Sequence, residues 1–247
     1  MFQDLHSHTY YSFCGKDKPA DVIEAAIKGG IEQLGISDHS YGIGLSRPEM
    51  DNTNNPSWAN DYQRCLNAYN DYQQLLKQQY ADKIDIKCGV EIPTLEIPYL
   101  ILPEKVDLSH FDYCLIEHID SPESVCKDLF EFADRCATEK VGIAHTDLSE
   151  FLDSKNIDKL EYFTEMAKRG IFWELNVNYD SIHGYREHAY VENFFKDEKL
   201  QEIILKSGVM LSIGFDGHRI EDYLPERIKE YCKRLSDIGI PMVYEKD

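Results

Sequence analysis

The residues able to do chemistry begin at the start of the chain. Asp4-Leu5-His6-Ser7-His8-Thr9 sets two histidines one residue apart at the end of a short apolar stretch. In a strand, residues i and i+2 point to the same side. His6 and His8 therefore converge on one metal ion if a strand ends there; the alternative is a solvated surface pair. The pattern recurs along the chain. LGISDH carries Asp38 and His39, KCGVEI Glu91, CLIEHID His118 and GIAHTD His145. WELNVN carries Asn176 and Asn178, and LSIGFDGH carries Asp216 and His218. Any one of these alone reads most simply as a helix cap or a satisfied polar group. Six of the nine histidines share the position, however, which a random distribution does not produce. Imidazole mixed with carboxylate suits Zn, Mn or Fe better than Ca or Mg.

Elements that position these residues can be read from the apolar pattern. Strands are expected at 2–5, 34–37, 84–92, 113–117, 141–144, 171–177 and 209–214. Helices are expected at 19–28, 58–80, 124–140, 157–168, 197–206 and 224–236. Gly30, Gly170, Gly208 and Gly239 follow helices as C-terminal caps do, and Pro19 and Pro225 suit first turns. Strand–helix alternation implies parallel strands with crossover helices. Seven units spread over 247 residues favour a closed α/β barrel, of TIM-like (β/α)7 type, over an open sheet. No Gly-x-Gly-x-x-Gly follows the first strand, which counts against a dinucleotide-binding sheet. No break in composition marks a second domain, so one domain over 1–247 is expected. Active sites of parallel barrels form at the carboxyl ends of the strands, where the histidines lie. The irregular segments 40–57 and 93–111 both follow strands and suit substrate loops.

A net charge of -19 argues against a general nucleic-acid or anionic-membrane binder. No apolar run reaches the roughly 20 residues of a membrane span. MFQDLHSH has neither a basic nor an apolar leader region. Seven scattered cysteines with no Cys-x-x-Cys pair resemble neither a disulfide framework nor a zinc ribbon. A cytoplasmic location is expected.

HSHT, SDH, GVE, EHID, AHTD and GFDGH, in this order and spacing, resemble the motifs of the PHP (polymerase and histidinol phosphatase) superfamily. The resemblance spans almost the whole chain. It implies a distorted seven-stranded α/β barrel that hydrolyses phosphoesters with two to three divalent metal ions. By position it implies one ion on His6, His8, Glu91 and Asp216. A second shares Glu91 and takes His118 and His145. A third takes His39 and His218 with a residue from the loop TYYSFCGKDKPAD. Family members carry histidine or aspartate in that loop; here Cys14 matches best by spacing, with Asp17 next. Glu117 adjoins His118 on a strand and is expected to face the other side, buried and hydrogen-bonded. Asp38 and Asp147 flank histidines and suit either imidazole orientation or helix capping.

The histidinol-phosphatase branch has a phosphate-binding arginine after the sixth strand, and Arg186 is the match. His183 and His188 in the same loop are candidate substrate contacts, as are Arg47 and Arg219, with Lys16 weaker. The expected substrate is a small phosphate monoester, with L-histidinol phosphate of histidine biosynthesis first and nucleotides or oligonucleotides second. Asp216 or a coordinated water is the candidate proton donor to the leaving group. Two other classes stay open: an amidohydrolase-type C–N hydrolase, and a non-catalytic metal-binding barrel. The absence of a strand-end lysine weighs against the first, and the near-complete ligand set against the second.

Overall fold

Seven parallel strands pair in chain order. β1 (Gln3–Asp4) joins β2 (Gln33–Ile36), which joins β3 (Asp85–Pro93) and then β4 (Tyr113–Glu117). β5 (Lys140–Ile143), β6 (Ile171–Asn176) and β7 (Leu211–Gly214) follow. The computed structural model describes residues 1–43, 57–95 and 106–245. Arg47 and most of the two expected substrate loops lie outside the described residues. The last strand returns to the first: the Leu5 amide donates to Ile213 O at 2.9 Å and the Asp216 amide to His6 O at 2.7 Å. The result is a nearly closed, distorted (β/α)7 barrel. Most strand residues are buried, as expected when helices cover one face of a sheet and the barrel interior the other.

Helices α1 (Pro19–Gly29), α2 (Ser57–Gln79), α3 (Leu129–Cys136), α4 (Leu148–Ser154), α5 (Lys159–Lys168), α6 (Ala189–Lys196), α7 (Glu198–Ser207) and α8 (Pro225–Ile238) connect the strands. Aspartates Asp128, Asp147, Asp158 and Asp197 cap α3, α4, α5 and α7 by accepting first-turn amides. A carboxylate there satisfies orphan donors and meets the positive end of the helix dipole. Part of the acidity of the chain is thus spent at helix starts, and Asp147 is a cap.

Three expectations need correction. The helix expected over 124–140 spans only Leu129–Cys136. Ser124 is held by Thr94 through a hydroxyl contact of 2.9 Å, and Ala137 turns left-handed at φ 55°. Helices α4 and α6 were not expected; each is too short to show a clear 3.6-residue period.

The barrel interior is closed by Leu5, Tyr113, Leu115, Ala144, Phe172 and Val243. Tyr113 fits because Gly35 and Gly89 lack side chains: a Cβ on either would lie 2.1–2.3 Å from its phenol atoms. Its hydroxyl donates to Leu5 O at 2.6 Å, just below the His6–His8 corner. Among the described residues, no helix is long and apolar enough to cross a membrane.

Candidate metal centre

Strand ends deliver the expected histidines and carboxylates to one place. His39, Glu91, Glu117, His118, His145, His183, His188, Asp216 and His218 line a cavity of about 340 Å³. His6 and His8 are buried against two of its carboxylates, Glu91 and Asp216. His6 Nε2 lies 3.1 Å from His8 Nε2, 3.2 Å from Glu91 Oε1 and 3.5 Å from Asp216 Oδ1. His8 Nε2 lies 3.0 Å from Asp216 Oδ1 and 3.5 Å from Glu91 Oε2. His145 Nε2 lies 3.4 Å from Glu91 Oε1, and His39 Nδ1 2.8 Å from Glu91 Oε2. Cys14, His8 and His218 bring donor atoms within 4.8 Å of one another.

This arrangement fits a bound cation. Both Glu91 oxygens are buried without a well-aligned hydrogen bond, crowded instead by nitrogens of His6, His8, His39 and His145 at 2.8–3.5 Å, although buried polar atoms are normally satisfied. The separations run from 2.8 to 3.5 Å, the longer ones beyond good hydrogen-bond lengths. They approach the edge of a coordination tetrahedron with metal–nitrogen bonds of 2.0–2.1 Å, about 3.3 Å. Glu174 Oε1 sits 2.7 Å from His6 Nδ1. In a ligating imidazole Nδ1 keeps the proton toward this carboxylate and Nε2 is the nitrogen turned to the centre. The other Glu174 oxygen accepts the His145 amide at 2.8 Å, so one buried carboxylate braces two strand ends.

Electrostatics point the same way. Burial would raise the Asp216 carboxyl, but the charges on His6 and His218 hold it well below the usual range. Glu91 is held low against burial by His6 and His39. Both are held towards the ionised form, which suits them to ligate a cation. Burial and the neighbouring His218 push His8 down to about 3, keeping it neutral. Burial opposes charge on His6, yet Glu174, Asp216 and Glu91 raise it well above the ordinary value. The pocket thus favours positive charge at its centre. Burial would raise the Cys14 thiol, but His218 and His39 bring it below the ordinary range, which favours thiolate.

Three site residues are left-handed: His118 at φ 62°, His145 at φ 25° and Asp216 at φ 54°. Such strain costs on the order of 1–3 kcal/mol per residue and collects at functional sites. It also explains Glu117. The left-handed turn at His118 breaks strand alternation, so Glu117 and His118 both line the cavity. Glu117 therefore does not face outward: its Oε2 lies 2.9 Å from His118 Nε2 and 3.7 Å from His145 Nε2.

The remaining candidates divide. His183 and His188 line the cavity, but Arg186 does not. Its Nε donates to His183 O at 3.3 Å from an exposed turn. Arg219 borders a separate recess beside Ser7 and His8. Asp17 accepts the Ile220 amide at 2.8 Å, and the Lys16 amide donates to His218 O at 3.0 Å. Asp38 accepts from Thr9, Ser12 and Tyr69, which fixes the loop carrying Cys14 and touches no imidazole directly. Asn176 donates to Glu174 Oε2 at 3.3 Å and accepts from the Asn178 amide. Sequence reasoning missed Glu174 and Asp180. Glu174 was legible as a carboxylate inside an otherwise apolar strand. Asp180 continues the parity of Asn176 and Asn178.

Comparison with known proteins adds three findings. The fold is shared with a histidinol phosphate phosphatase from Lactococcus lactis, crystallised with zinc, L-histidinol and phosphate. That match has a TM-score of 0.54 at 16% identity, covering 97% of this chain and 94% of the other. A Listeria monocytogenes protein assigned as a histidinol phosphatase matches with a TM-score of 0.50 at 14% identity, covering 89% and 96%. Curated protein sequences give no match. The family model described as PHP domain matches residues 4–240, and with the match spanning nearly every strand and ligand corner, the chain belongs to the PHP domain family.

Proposed function

We propose that this chain is a metal-dependent phosphoesterase acting on a small phosphate monoester, with L-histidinol phosphate the first candidate. The observation that carries the reading is the cavity lining. Glu91, Glu117 and Asp216 face it among six histidines, and no lysine or arginine among the described residues does. A phosphate dianion entering such a cavity meets carboxylates. Bound cations reverse that repulsion.

In this reading His6, His8, Glu91 and Asp216 hold one ion. Glu91, His118 and His145 hold a second, with Glu117 beside them. Cys14, His39 and His218 serve a third. When bound, such ions lower the pKa of a coordinated water towards neutrality and offset phosphoryl charge. The chain's own residues do the rest. Glu174 locks His6 and His145 in place, so the ligands need no reorganisation. His118 and His188 stand at the open side, where a substrate's leaving group would lie. Arg186, on the turn beside His183, has the planar fork that pairs with phosphate oxygens. The small cavity suits a monoester better than a polymer. The acidic surface suits a substrate with an ammonium group, and the relatives sharing the fold include a protein crystallised with L-histidinol and phosphate.

The test pairs elemental analysis with phosphate release from histidinol phosphate, nucleotides and simple sugar phosphates. His8→Ala is expected to lose metal and activity together. Arg186→Ala is expected to keep its metal and lose at least tenfold in kcat/KM. Protein purified without any transition metal, and inactive when metal is added, would sink the reading. Full activity of Arg186→Ala at low substrate would remove the arginine from it.

A further inference from the structure

We infer that His183, held by Asp180, is an additional ligand of the metal centre, beside His218. The inference rests on the metal-dependent reading above and adds to it a donor outside the strand-end motifs. After β6 the chain makes a tight turn over residues 181–185. Asp180 lies beneath the turn, only 1% exposed. Its Oδ1 accepts the His183 amide at 2.8 Å and lies 2.7 Å from His183 Nδ1. The carboxylate accepts, so in a ligating imidazole Nδ1 keeps the proton and Nε2 offers the lone pair. That lone pair faces inward: Nε2 lies 3.6 Å from Asp216 Oδ2, and the ring lies 5.2 Å from that of His218. Asp216 directs its other oxygen at His6 and His8. Its Oδ2 and His183 Nε2 thus form a second donor pair at a metal-bridging distance.

An independent observation lies on the far face of Asp180. Its Oδ2 is buried without a hydrogen bond, and so is Nδ1 of His218, 3.6 Å away. One carboxylate therefore faces the Nδ1 atoms of two cavity histidines. A metal-bound histidine characteristically presents its other nitrogen to a carboxylate. His183 shows that relation to Asp180 at 2.7 Å, and His218 turns its Nδ1 toward the same carboxylate at 3.6 Å. Asp180, His183 and His218 bring donor atoms within 4.8 Å of one another. The expected third ion otherwise has only Cys14, His39 and His218.

Metal content after dialysis against graded EDTA, read by mass spectrometry, tests this without an activity assay. Wild type is expected to hold three ions per chain. His183→Gln is expected to release one of them at tenfold or more lower chelator concentration, leaving the other two in place. Asp180→Asn, nearly isosteric and thus a check on folding effects, is expected to weaken the same ion by about 10–100-fold. Wild-type stoichiometry and chelator resistance in both variants would overturn the inference while the phosphoesterase reading stands. Two ions per chain, unchanged in both variants, would overturn it equally. A wild-type protein with no transition metal at all would overturn both.

Discussion

Glu174 shows how much of the centre depends on a residue that would touch no ion. It is buried at 1% exposure, with one oxygen on His6 Nδ1 and the other on the His145 amide. Replacing it by glutamine keeps the volume and removes the charge. With its single oxygen kept on the His145 amide, the glutamine turns an NH2 donor toward His6 Nδ1 and favours the tautomer that places the proton on Nε2. Glu174→Gln is expected to lower metal affinity by about 10–100-fold, measured by competition with a coloured chelator. Unchanged affinity would show that packing alone orients His6. Most cavity donors could be named from the sequence because a histidine at the end of an apolar strand is conspicuous. Glu174 and Asp180 were missed, and Glu117 was placed on the wrong side, because their roles come from neighbours. Glu117 enters the cavity only through the left-handed backbone at His118, which no periodicity shows.

Individual elements place these residues through close backbone contacts. β7 approaches β1 so tightly that a Cβ on Gly214 would lie 2.0 Å from Glu174 Oε1 and 2.7 Å from His6 Cβ. Glycine at this position is what lets β6 and β1 bring carboxylate and imidazole together. Gly214→Ala is expected to destabilise the fold by about 1–3 kcal/mol, as overpacking does, and to loosen metal binding as well. Combined with Glu174→Gln, its effect on metal affinity is expected to fall short of the sum, because both changes break the same contact. Chelator titrations of the single and double variants check this; strict additivity would separate the two sites. Elements also divide by legibility. Strands set the period and were readable to within about two residues at their ends. Short helices such as α4 depend on a cap, here Asp147 accepting the Glu150 amide at 2.9 Å, and a cap alone is ambiguous beside a histidine.

The whole molecule carries a formal charge of -19, with Glu91, Asp216, Glu117, Glu174 and Asp180 buried at one end of the barrel. Concentrating carboxylates in a nonpolar setting is unfavourable unless cations share it. Their oxygens would repel one another in the metal-free protein, relieved only by protonated imidazoles. Bound ions therefore link the strand ends and stabilise the fold by mass action. A single ion present at 100 times its dissociation constant contributes about 2.7 kcal/mol. For a domain of this size, each kcal/mol moves the melting temperature by roughly 2–4 °C. Removing one such ion should lower Tm by about 5–11 °C, and removing further ions should lower it more. The measurement is a thermal melt by circular dichroism, before and after EDTA dialysis, with metal content determined on the same samples. Return of Tm on adding Zn or Mn, but not Ca, would match the imidazole-rich donor set. An unchanged Tm after verified metal removal would mean that the barrel closes on its apolar contacts alone. The β1–β7 hydrogen bonds, and not the ions, would then hold the histidines in place.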